Sequence, residues 1–505
     1  MSNGKICVSV CAKTADELIE QIGRAEEFAD VIEVRFDCLD SGQLSIALEI
    51  LDANKPLLLT FRPRNQGGNA DSDLTGRIPF WMMFATRGSL NDEKTWLDNE
   101  LDLRSILQWS EGCKVVRSAH DFSGIPDDLD SLYKEMSNYD EVIKIAVHAD
   151  DIADSISVWK LLEQAKSENK QIIPIAMGEA GKWTRILGLA HGAFMTYASL
   201  EPGGETAPGQ ISAKDLIDVY RVKELDEKTA VYGIIGGNTS YSVSPFMHNA
   251  AFKESEINSV FVPLQVKYLD QFMRRMVKSE TREIELNFAG FSVTIPHKQA
   301  IIKHLDFVDE TARKIGAVNT VKIEKGKFYG FNTDALGFIE PLKNALGNLK
   351  NARAAIFGAG GAARACIYAL KQEGGDVSIF ARDPQKARTI AEEFEIPLYE
   401  LPTDNRQLTT AFDIIVNATP LGTKGVMANE SILNAEQLAG VKLVYDLVYN
   451  PRETRLIHEA KKANVPTIGG IEMLIAQGAK QFEIWTGQTS PLEAMISAVK
   501  KRLQF

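Results

Sequence analysis

The sequence predicts an α/β protein in which an N-terminal (β/α)8 barrel precedes a two-lobed region with a C-terminal nucleotide domain. Its 505 residues exceed what a single hydrophobic core usually holds. Between residues 5 and 220, short apolar runs alternate with amphipathic stretches, which is the pattern of repeated strand–helix units. A glycine-rich turn near residue 355 restarts that alternation in the second half.

Eight apolar runs predict the strands of the first half. They cover residues 6–10, 31–36, 57–61, 95–101, 113–119, 141–147, 172–177 and 193–198. Most stretches between them have helical periodicity, as at 15–28 and 152–165, and we expect a closing helix over 212–220. A barrel is the economical topology for such a series, and a doubly wound sheet is the structural alternative.

A short charged stretch from Arg221 to Thr229 marks a domain boundary. We therefore predict a barrel over 1–222, a substrate domain over 229–340 and a nucleotide domain over 341–505, whose last helices return to the substrate domain. The linker is short and is not rich in glycine or serine, so we expect the halves to be held close together.

Composition excludes several classes of partner. The formal net charge of -12 argues against nucleic acid, since a phosphate backbone requires clustered positive charge. No apolar run is long enough to cross a bilayer, and a strand-like run follows directly after Lys5, so we expect a cytoplasmic protein without a targeting peptide. The five cysteines have no zinc-type spacing, which predicts reduced buried thiols and no metal site. Small-molecule substrates are the expected partners, and we favour a monomer.

Chemistry in a barrel of this kind lies at the carboxyl ends of the strands. A lysine, Lys144, stands there among isoleucine, valine and alanine, and His120 ends the neighbouring strand. Desolvation lowers the pKa of a buried lysine and makes its amine a nucleophile toward ketones, whereas a lysine whose head reaches solvent is the structural alternative. Nearby arginines favour the first interpretation because they can hold a carboxylate, with His120 as a general base.

Six motifs of this half resemble the type I 3-dehydroquinate dehydratases: EVRFD, TFR, SAHDF, IKIAV, MGEAGKWTR and TAPGQ. The resemblance implies that Lys144 forms a Schiff base and that His120 removes the proton, giving 3-dehydroshikimate. It also implies a set of substrate-binding residues, which are Glu33, Arg35, Arg62, Met177, Arg185, Tyr197, Thr206 and Gln210. One departure concerns the base, because Gln66 stands where the family usually has a glutamate.

The run ARAAIFGAGGAARACIYAL, residues 352–370, has the Rossmann dinucleotide fingerprint between a strand and a helix. The next strand ends at Arg382 and has no acid at its tip, which favours the 2′-phosphate of NADP; a solvated arginine is the alternative. The expected cofactor-binding residues are Gly358, Ala359, Gly360, Gly361, Ala362, Ala363, Arg382, Thr419 and Gly470.

Between the barrel and the nucleotide domain lie small hydroxyls, amides, a lysine and an aspartate suited to a polyhydroxylated carboxylate. With the stretches VYNP and GIEMLIAQGAKQFEIWTG they resemble shikimate dehydrogenase. The resemblance implies Lys298 and Asp334 as the catalytic pair. It further implies six substrate-binding residues, Ser242, Ser244, Thr294, Asn319, Tyr449 and Gln477.

Together the halves resemble the bifunctional dehydroquinate dehydratase–shikimate dehydrogenases, in which the product of one half is the substrate of the other. The expected activity is dehydration of 3-dehydroquinate followed by NADPH-dependent reduction to shikimate. Three alternatives stay open at this point: one half is inactive, the chain is a non-catalytic metabolite-binding regulator, or the back half uses quinate.

Overall fold

The computed structural model describes residues 4–71, 73–86, 94–103, 106, 114–139, 141–400, 411–425 and 427–504. The chain forms two compact units. The first comprises Met1–Val231 and Asn258–Asn287, and the second comprises Tyr232–Ile257 and Phe288–Phe505. Among the residues described, no helix is long and apolar enough to cross a membrane.

The eight predicted strands of the barrel are confirmed. They are β1 (Lys5–Val10), β2 (Val31–Arg35), β3 (Leu57–Thr60), β4 (Thr95–Glu100), β5 (Lys114–Asp121), β6 (Val142–His148), β7 (Ile172–Met177) and β8 (Met195–Ser199). With the short β9 (Ile211–Ser212) they form a parallel sheet in the order β7-β6-β5-β4-β3-β2-β1-β8-β9. The two ends of the series meet where the Phe194 N–H donates to the Ile172 carbonyl at 2.8 Å.

The helices of this unit surround the sheet: α1 (Ala15–Ala25), α2 (Gln43–Ile50), α3 (Leu74–Thr86), α4 (Leu129–Ser137), α5 (Ser155–Ser167), α6 (Lys182–Leu187) and α7 (Ala213–Asp218). The closing helix is therefore present, and the Ser212 hydroxyl caps it by accepting from the Asp215 N–H at 3.1 Å. The segment that joins this unit later in the chain contains β11 (Ser259–Gln265) and α9 (Leu269–Phe272).

The inward faces of the strands form two layers. An apolar layer contains Cys7, Val31, Leu58, Trp96, Val116 and Val142. Two residues further along each strand, and hence on the same face, stand buried polar groups: Ser9, Glu33, Thr60, Asp98, Ser118 and Lys144. The barrel interior is thus apolar toward the amino ends of the strands and polar toward their carboxyl ends.

The expectation of reduced thiols throughout is wrong for one pair of cysteines. Cys11 and Cys38 form a disulfide, because they follow the adjacent strands β1 and β2 and their Cα atoms lie 5.4 Å apart. Cys7 and Cys366 are buried free thiols, and Cys113 lies outside the described residues.

The second unit begins with the lobe predicted to bind substrate. Its strands are β10 (Ala230–Gly236), β12 (Phe288–Val293), β13 (Phe307–Val308), β14 (Thr320–Glu324) and β15 (Lys327–Phe331), which neighbour one another in the order β10-β12-β14-β15-β13. The helices are α8 (Ser244–Glu254), α10 (Glu310–Ile315) and α11 (Asp334–Leu346).

The nucleotide lobe is a parallel sheet in the order β18-β17-β16-β19-β20-β21, as the fingerprint predicted. Its strands are β16 (Arg353–Phe357), β17 (Asp376–Ala381), β18 (Leu398–Glu400), β19 (Ile414–Asn417), β20 (Leu443–Asp446) and β21 (Thr467–Ile468). The helices are α12 (Gly361–Gln372), α13 (Pro384–Phe394), α14 (Ala435–Leu438), α15 (Arg455–Lys462), α16 (Gly470–Thr486) and α17 (Leu492–Leu503). Strand order reverses at β16, and such a switch point opens a crevice at the carboxyl ends of the strands.

Candidate active sites

All eight predicted substrate-binding residues of the barrel line one cavity together with Lys144 and His120. The cavity lies in the polar layer, where period-two alternation turns the side chains of several strands toward one point. Gln66, Gly67, Phe122, Ala146, Ile175 and Ala207 complete its lining.

Lys144 is buried in a polar environment rather than the apolar one that its strand neighbours suggested. Its Nζ lies 2.9 Å from Asp98 Oδ2 and 3.7 Å from Glu33 Oε1, and 4.0 Å from the centroid of the Tyr197 ring. The apolar neighbours lie along the same strand, whereas the carboxylates come from β4 and β2 across the barrel.

Arg62 links two buried acids, Asp98 and Glu100, to His120. Its guanidinium donates to Asp98 Oδ2 at 2.6 Å and to Glu100 Oε1 at 3.0 Å, and its Nη1 lies 3.3 Å from Nδ1 of His120. Burial acts to raise the pKa of Asp98, but the charges of Arg62 and Lys144 outweigh it and hold that pKa well below its usual range. Burial also raises the pKa of Glu100.

The surroundings of His120 favour its neutral imidazole form. Burial, reinforced by the positive charges of Arg62 and Lys144, holds the pKa of His120 well below its usual value. Its Nδ1 also lies 3.1 Å from Oε1 of Gln66. A neutral imidazole beside a lysine is ready to accept a proton.

The two remaining arginines differ in their partners. Arg35 forms a two-pronged pair with Asp37, with Nε–Oδ1 at 2.8 Å and Nη2–Oδ2 at 2.7 Å. Arg185 is buried, and its guanidinium donates to the main-chain carbonyls of Tyr197 at 3.5 Å and Pro208 at 3.4 Å. Burial lowers the pKa of Arg185 to about 10. A buried guanidinium with carbonyl partners is suited to an incoming carboxylate.

Sequence reasoning missed Asp98 and Glu100 as members of this site. Both lie in the run TWLDNEL, which was interpreted only as a strand. The available signal was their spacing: two acids two residues apart in a central strand face one side of the sheet, and buried acids require partners.

In the second unit, Lys298 and Asp334 form an ion pair between the loop after β12 and the start of α11. Asn319 donates from Nδ2 to the other carboxylate oxygen, Asp334 Oδ1, at 2.8 Å, and the Asn332 side chain accepts from the Asp334 N–H at 3.0 Å. One oxygen of Asp334 is thus fixed while the other holds the lysine. The carboxylate therefore orients the ammonium.

The predicted substrate residues of this half line one cavity with that pair. They are Ser242, Ser244, Thr294, Asn319, Tyr449 and Gln477. Three predicted cofactor residues, Ala362, Thr419 and Gly470, line the same space. Its volume is about 260 Å³ against about 40 Å³ for the barrel cavity, as expected where two ligands must meet.

The glycine turn fits a dinucleotide. Gly358 has φ +123°, a conformation that favours glycine, and no atom lies within 4 Å of a Cβ built on Gly360, which precedes the N-terminus of α12. A Cβ on Gly361 would lie 2.9 Å from Cδ of Lys298, so glycine there leaves room for the lysine. Gly358, Ala359, Gly360, Gly361 and Ala363 form the turn and first residues of the helix. Arg382 is exposed at the tip of β17, beyond the cavity lining.

Four family models match the chain. They are the type I 3-dehydroquinase over residues 6–227, the shikimate dehydrogenase substrate binding domain over 234–321, the shikimate/quinate 5-dehydrogenase over 340–473 and the shikimate 5′-dehydrogenase C-terminal domain over 470–500.

Individual relatives agree with these matches. The chain is 33% identical to a chloroplastic bifunctional 3-dehydroquinate dehydratase/shikimate dehydrogenase of Arabidopsis thaliana, over 97% of this chain and 83% of the relative. It is 41% identical to a shikimate dehydrogenase (NADP(+)) of Methanocaldococcus jannaschii, over 54% of this chain and 98% of the relative. The chain is also similar to the crystal structure of a shikimate dehydrogenase in complex with NADP+. The match includes 55% of this chain and 97% of the shikimate dehydrogenase chain, with 40% sequence identity and a TM-score of 0.50.

Proposed function

The chain belongs to the family of bifunctional 3-dehydroquinate dehydratase/shikimate dehydrogenases, and we propose that Lys144 and His120 carry its first reaction and Lys298 and Asp334 its second. The protein is a lyase and an NADP-dependent oxidoreductase of the shikimate pathway. The observation that carries the assignment of residues is that each lysine touches a carboxylate inside a cavity lined by the expected substrate groups.

In the barrel, the unprotonated amine of Lys144 adds to the ketone carbon of 3-dehydroquinate, and loss of one water with uptake of one proton gives an iminium. The positive nitrogen acidifies the adjacent C–H, and neutral His120 takes that proton. The His120 imidazolium gives that proton to the hydroxyl on the next carbon, which leaves as water as the double bond forms. Hydrolysis of the iminium then releases 3-dehydroshikimate and the lysine. Arg185 is proposed to hold the substrate carboxylate, with Thr206 and Gln210 beside it.

In the second unit, Lys298 is proposed to give a proton to the carbonyl oxygen of 3-dehydroshikimate as it becomes a hydroxyl, oriented by Asp334. Ser242 and Ser244 bind the carboxylate, and Thr294, Asn319 and Gln477 bind the hydroxyls. The dinucleotide is proposed to lie along the Gly358–Ala363 turn, with its 2′-phosphate at Arg382 and its other end near Thr419 and Gly470. When bound, NADPH supplies the hydride.

The proposal also includes the domain boundaries, the oligomeric state and the location of the protein. We propose domains over 1–222, 229–340 and 341–505, a monomer, and a cytoplasmic location. The presence of both proposed catalytic pairs in one chain supports a monomer. Sedimentation equilibrium and cell fractionation test the last two.

A coupled assay tests the overall assignment. Purified protein supplied with 3-dehydroquinate and NADPH should form shikimate and consume NADPH. Borohydride added with 3-dehydroquinate should reduce the imine and leave a stable mass increase on the peptide containing Lys144. Lys144→Met should abolish the adduct, whereas Lys114→Met, which removes a lysine of the adjacent strand outside the cavity, should keep it. An adduct that persists in Lys144→Met would refute the assigned nucleophile.

A further inference from the structure

Two fully buried polar residues, Asn417 and Asp446, lie side by side at the carboxyl ends of β19 and β20. Nδ2 of Asn417 donates to Asp446 Oδ1 at 2.9 Å. Neither residue lines the dehydrogenase cavity. Burying an amide and a carboxyl is costly unless their hydrogen bonds are made, so the contacts of this pair define what it does.

Asn417 holds the loop that follows β19. Its Oδ1 accepts from both the N–H of Thr419, at 3.1 Å, and the Thr419 hydroxyl, at 2.6 Å. Its Nδ2 also donates to the Leu421 carbonyl at 3.1 Å. The loop carries Ala418, Thr419 and Pro420, all of which line the cavity.

Asp446 holds the loop that follows β20. Its Oδ1 accepts from the Val448 N–H at 3.1 Å, and its Oδ2 accepts from the hydroxyl of Thr454, the N-cap residue of α15. The loop carries Tyr449, which lines the cavity together with Ser242. Burial raises the pKa of Asp446 to about 6, and its donors are an amide, a main-chain N–H and a hydroxyl.

Both loops also press against glycines of the cofactor-binding elements. A Cβ on Gly358 would lie 2.7 Å from the Ala418 carbonyl oxygen, and a Cβ on Gly470 would lie 2.2 Å from that of Leu447. Movement of either loop would therefore move a wall of the proposed cofactor site as well.

We propose that Asn417 and Asp446 are paired positioning residues that hold the cofactor-facing loop and the substrate-facing loop of the dehydrogenase in one fixed relation. The inference rests on the role proposed above for Thr419 and on the substrate-binding role that the family resemblance implies for Tyr449. Because one hydrogen bond joins the two anchors, loss of the pair weakens binding of NADPH and of 3-dehydroshikimate together. A residue serving only one ligand would change one KM alone.

The first test is Asp446→Ala in the full chain. We expect the KM values for NADPH and 3-dehydroshikimate each to rise about tenfold, as for loss of a buried hydrogen-bonded group, with unchanged dehydratase kinetics. Thr454→Val is the matched control, because it removes a bond to the same carboxyl and a helix cap but leaves the bonds of Asp446 to Asn417 and Val448 in place. It should lower the melting temperature and leave both KM values unchanged.

Exchanging the two side chains tests the hydrogen bond between Asn417 and Asp446. Because the exchange keeps the size of both side chains, it leaves no cavity, unlike Asp446→Ala. Asn417→Asp alone brings two buried carboxyls together and should raise both KM values more than Asp446→Ala does. Adding Asp446→Asn restores one donor and one acceptor between the two side chains, so both KM values should fall below those of Asn417→Asp alone. KM values in the exchanged pair no lower than in Asn417→Asp alone, or unchanged KM values in Asp446→Ala, would overturn the inference.

Thr419→Ala separates this inference from the proposed function. A raised KM for NADPH in Thr419→Ala supports the role of that loop. If Asp446→Ala then leaves the KM for NADPH unchanged, the positioning role alone is refuted. If Thr419→Ala has no effect, the proposed role of Thr419 is refuted, and with it the basis of the inference.

Discussion

The amide oxygen of Gln66 lies 3.1 Å from Nδ1 of His120. When the ring proton is on Nδ1, Gln66 accepts it and Nε2 of the imidazole is the free base. A glutamine does this without adding a negative charge. The pKa of His120 therefore stays low, under burial and the charges of Arg62 and Lys144.

Gln66→Glu should shift the acid limb of the dehydratase pH profile to higher pH. A carboxylate beside Nδ1 favours the imidazolium and raises the pKa of His120, so the base is protonated over a wider acidic range. At pH 5.5 to 6 we expect kcat/KM to fall by roughly threefold relative to the unmodified chain. The dehydrogenase profile of the same variant is the control. An acid limb that stays in place would show that Gln66 does not control the base.

Two buried arginines should respond oppositely to substitution by methionine. The guanidinium of Arg185 donates to main-chain carbonyls and pairs with them rather than with a carboxylate. Arg185→Met should therefore raise the KM for 3-dehydroquinate about 100-fold with little loss of stability. Arg62→Met removes the guanidinium that the buried Asp98 and Glu100 share as a partner and should destabilise the barrel by about 3–5 kcal/mol. Calorimetry of both variants provides the comparison, and equal losses of stability would contradict this account.

Much of the barrel was predictable because a local run of apolar residues specifies each strand. The apolar runs that end at 10, 36 and 177 became β1, β2 and β7 with ends shifted by at most one residue. The lining of both cavities was also predictable, since the motifs stand at strand ends and helix starts, where each fold concentrates its functional groups.

Contacts between distant parts of the chain were not predictable in the same way. Cys11 and Cys38 meet only because β1 and β2 are paired in a particular register. The acid beside Lys144 comes from β4, 46 residues earlier. Asn417 and Asp446 likewise depend on the register of β19 and β20. Local periodicity gives the strands, whereas these partners depend on how the strands are aligned.

Arg382→Ala should weaken binding of NADP much more than binding of NAD. The exposed guanidinium at the tip of β17 is available for a 2′-phosphate, which NAD lacks, and a charge-assisted contact of this kind accounts for about a 30-fold change in Kd. Titration calorimetry with each dinucleotide measures the difference. Arg388→Ala, on the exposed side of α13, is the matched control and should change neither affinity. Equal losses for both dinucleotides in Arg382→Ala would refute the phosphate role.

Asp334→Asn should slow the dehydrogenase at the chemical step. The amide keeps the size of the side chain and an oxygen to accept from Asn319, but it removes the negative charge that orients Lys298. We expect kcat to fall about 100-fold, the usual contribution of a positioned proton donor. Asp309→Asn, at the N-cap of α10 in the same lobe, should leave kcat unchanged, as should the dehydratase assay of Asp334→Asn. A normal kcat in Asp334→Asn would mean that Lys298 needs no carboxylate to act.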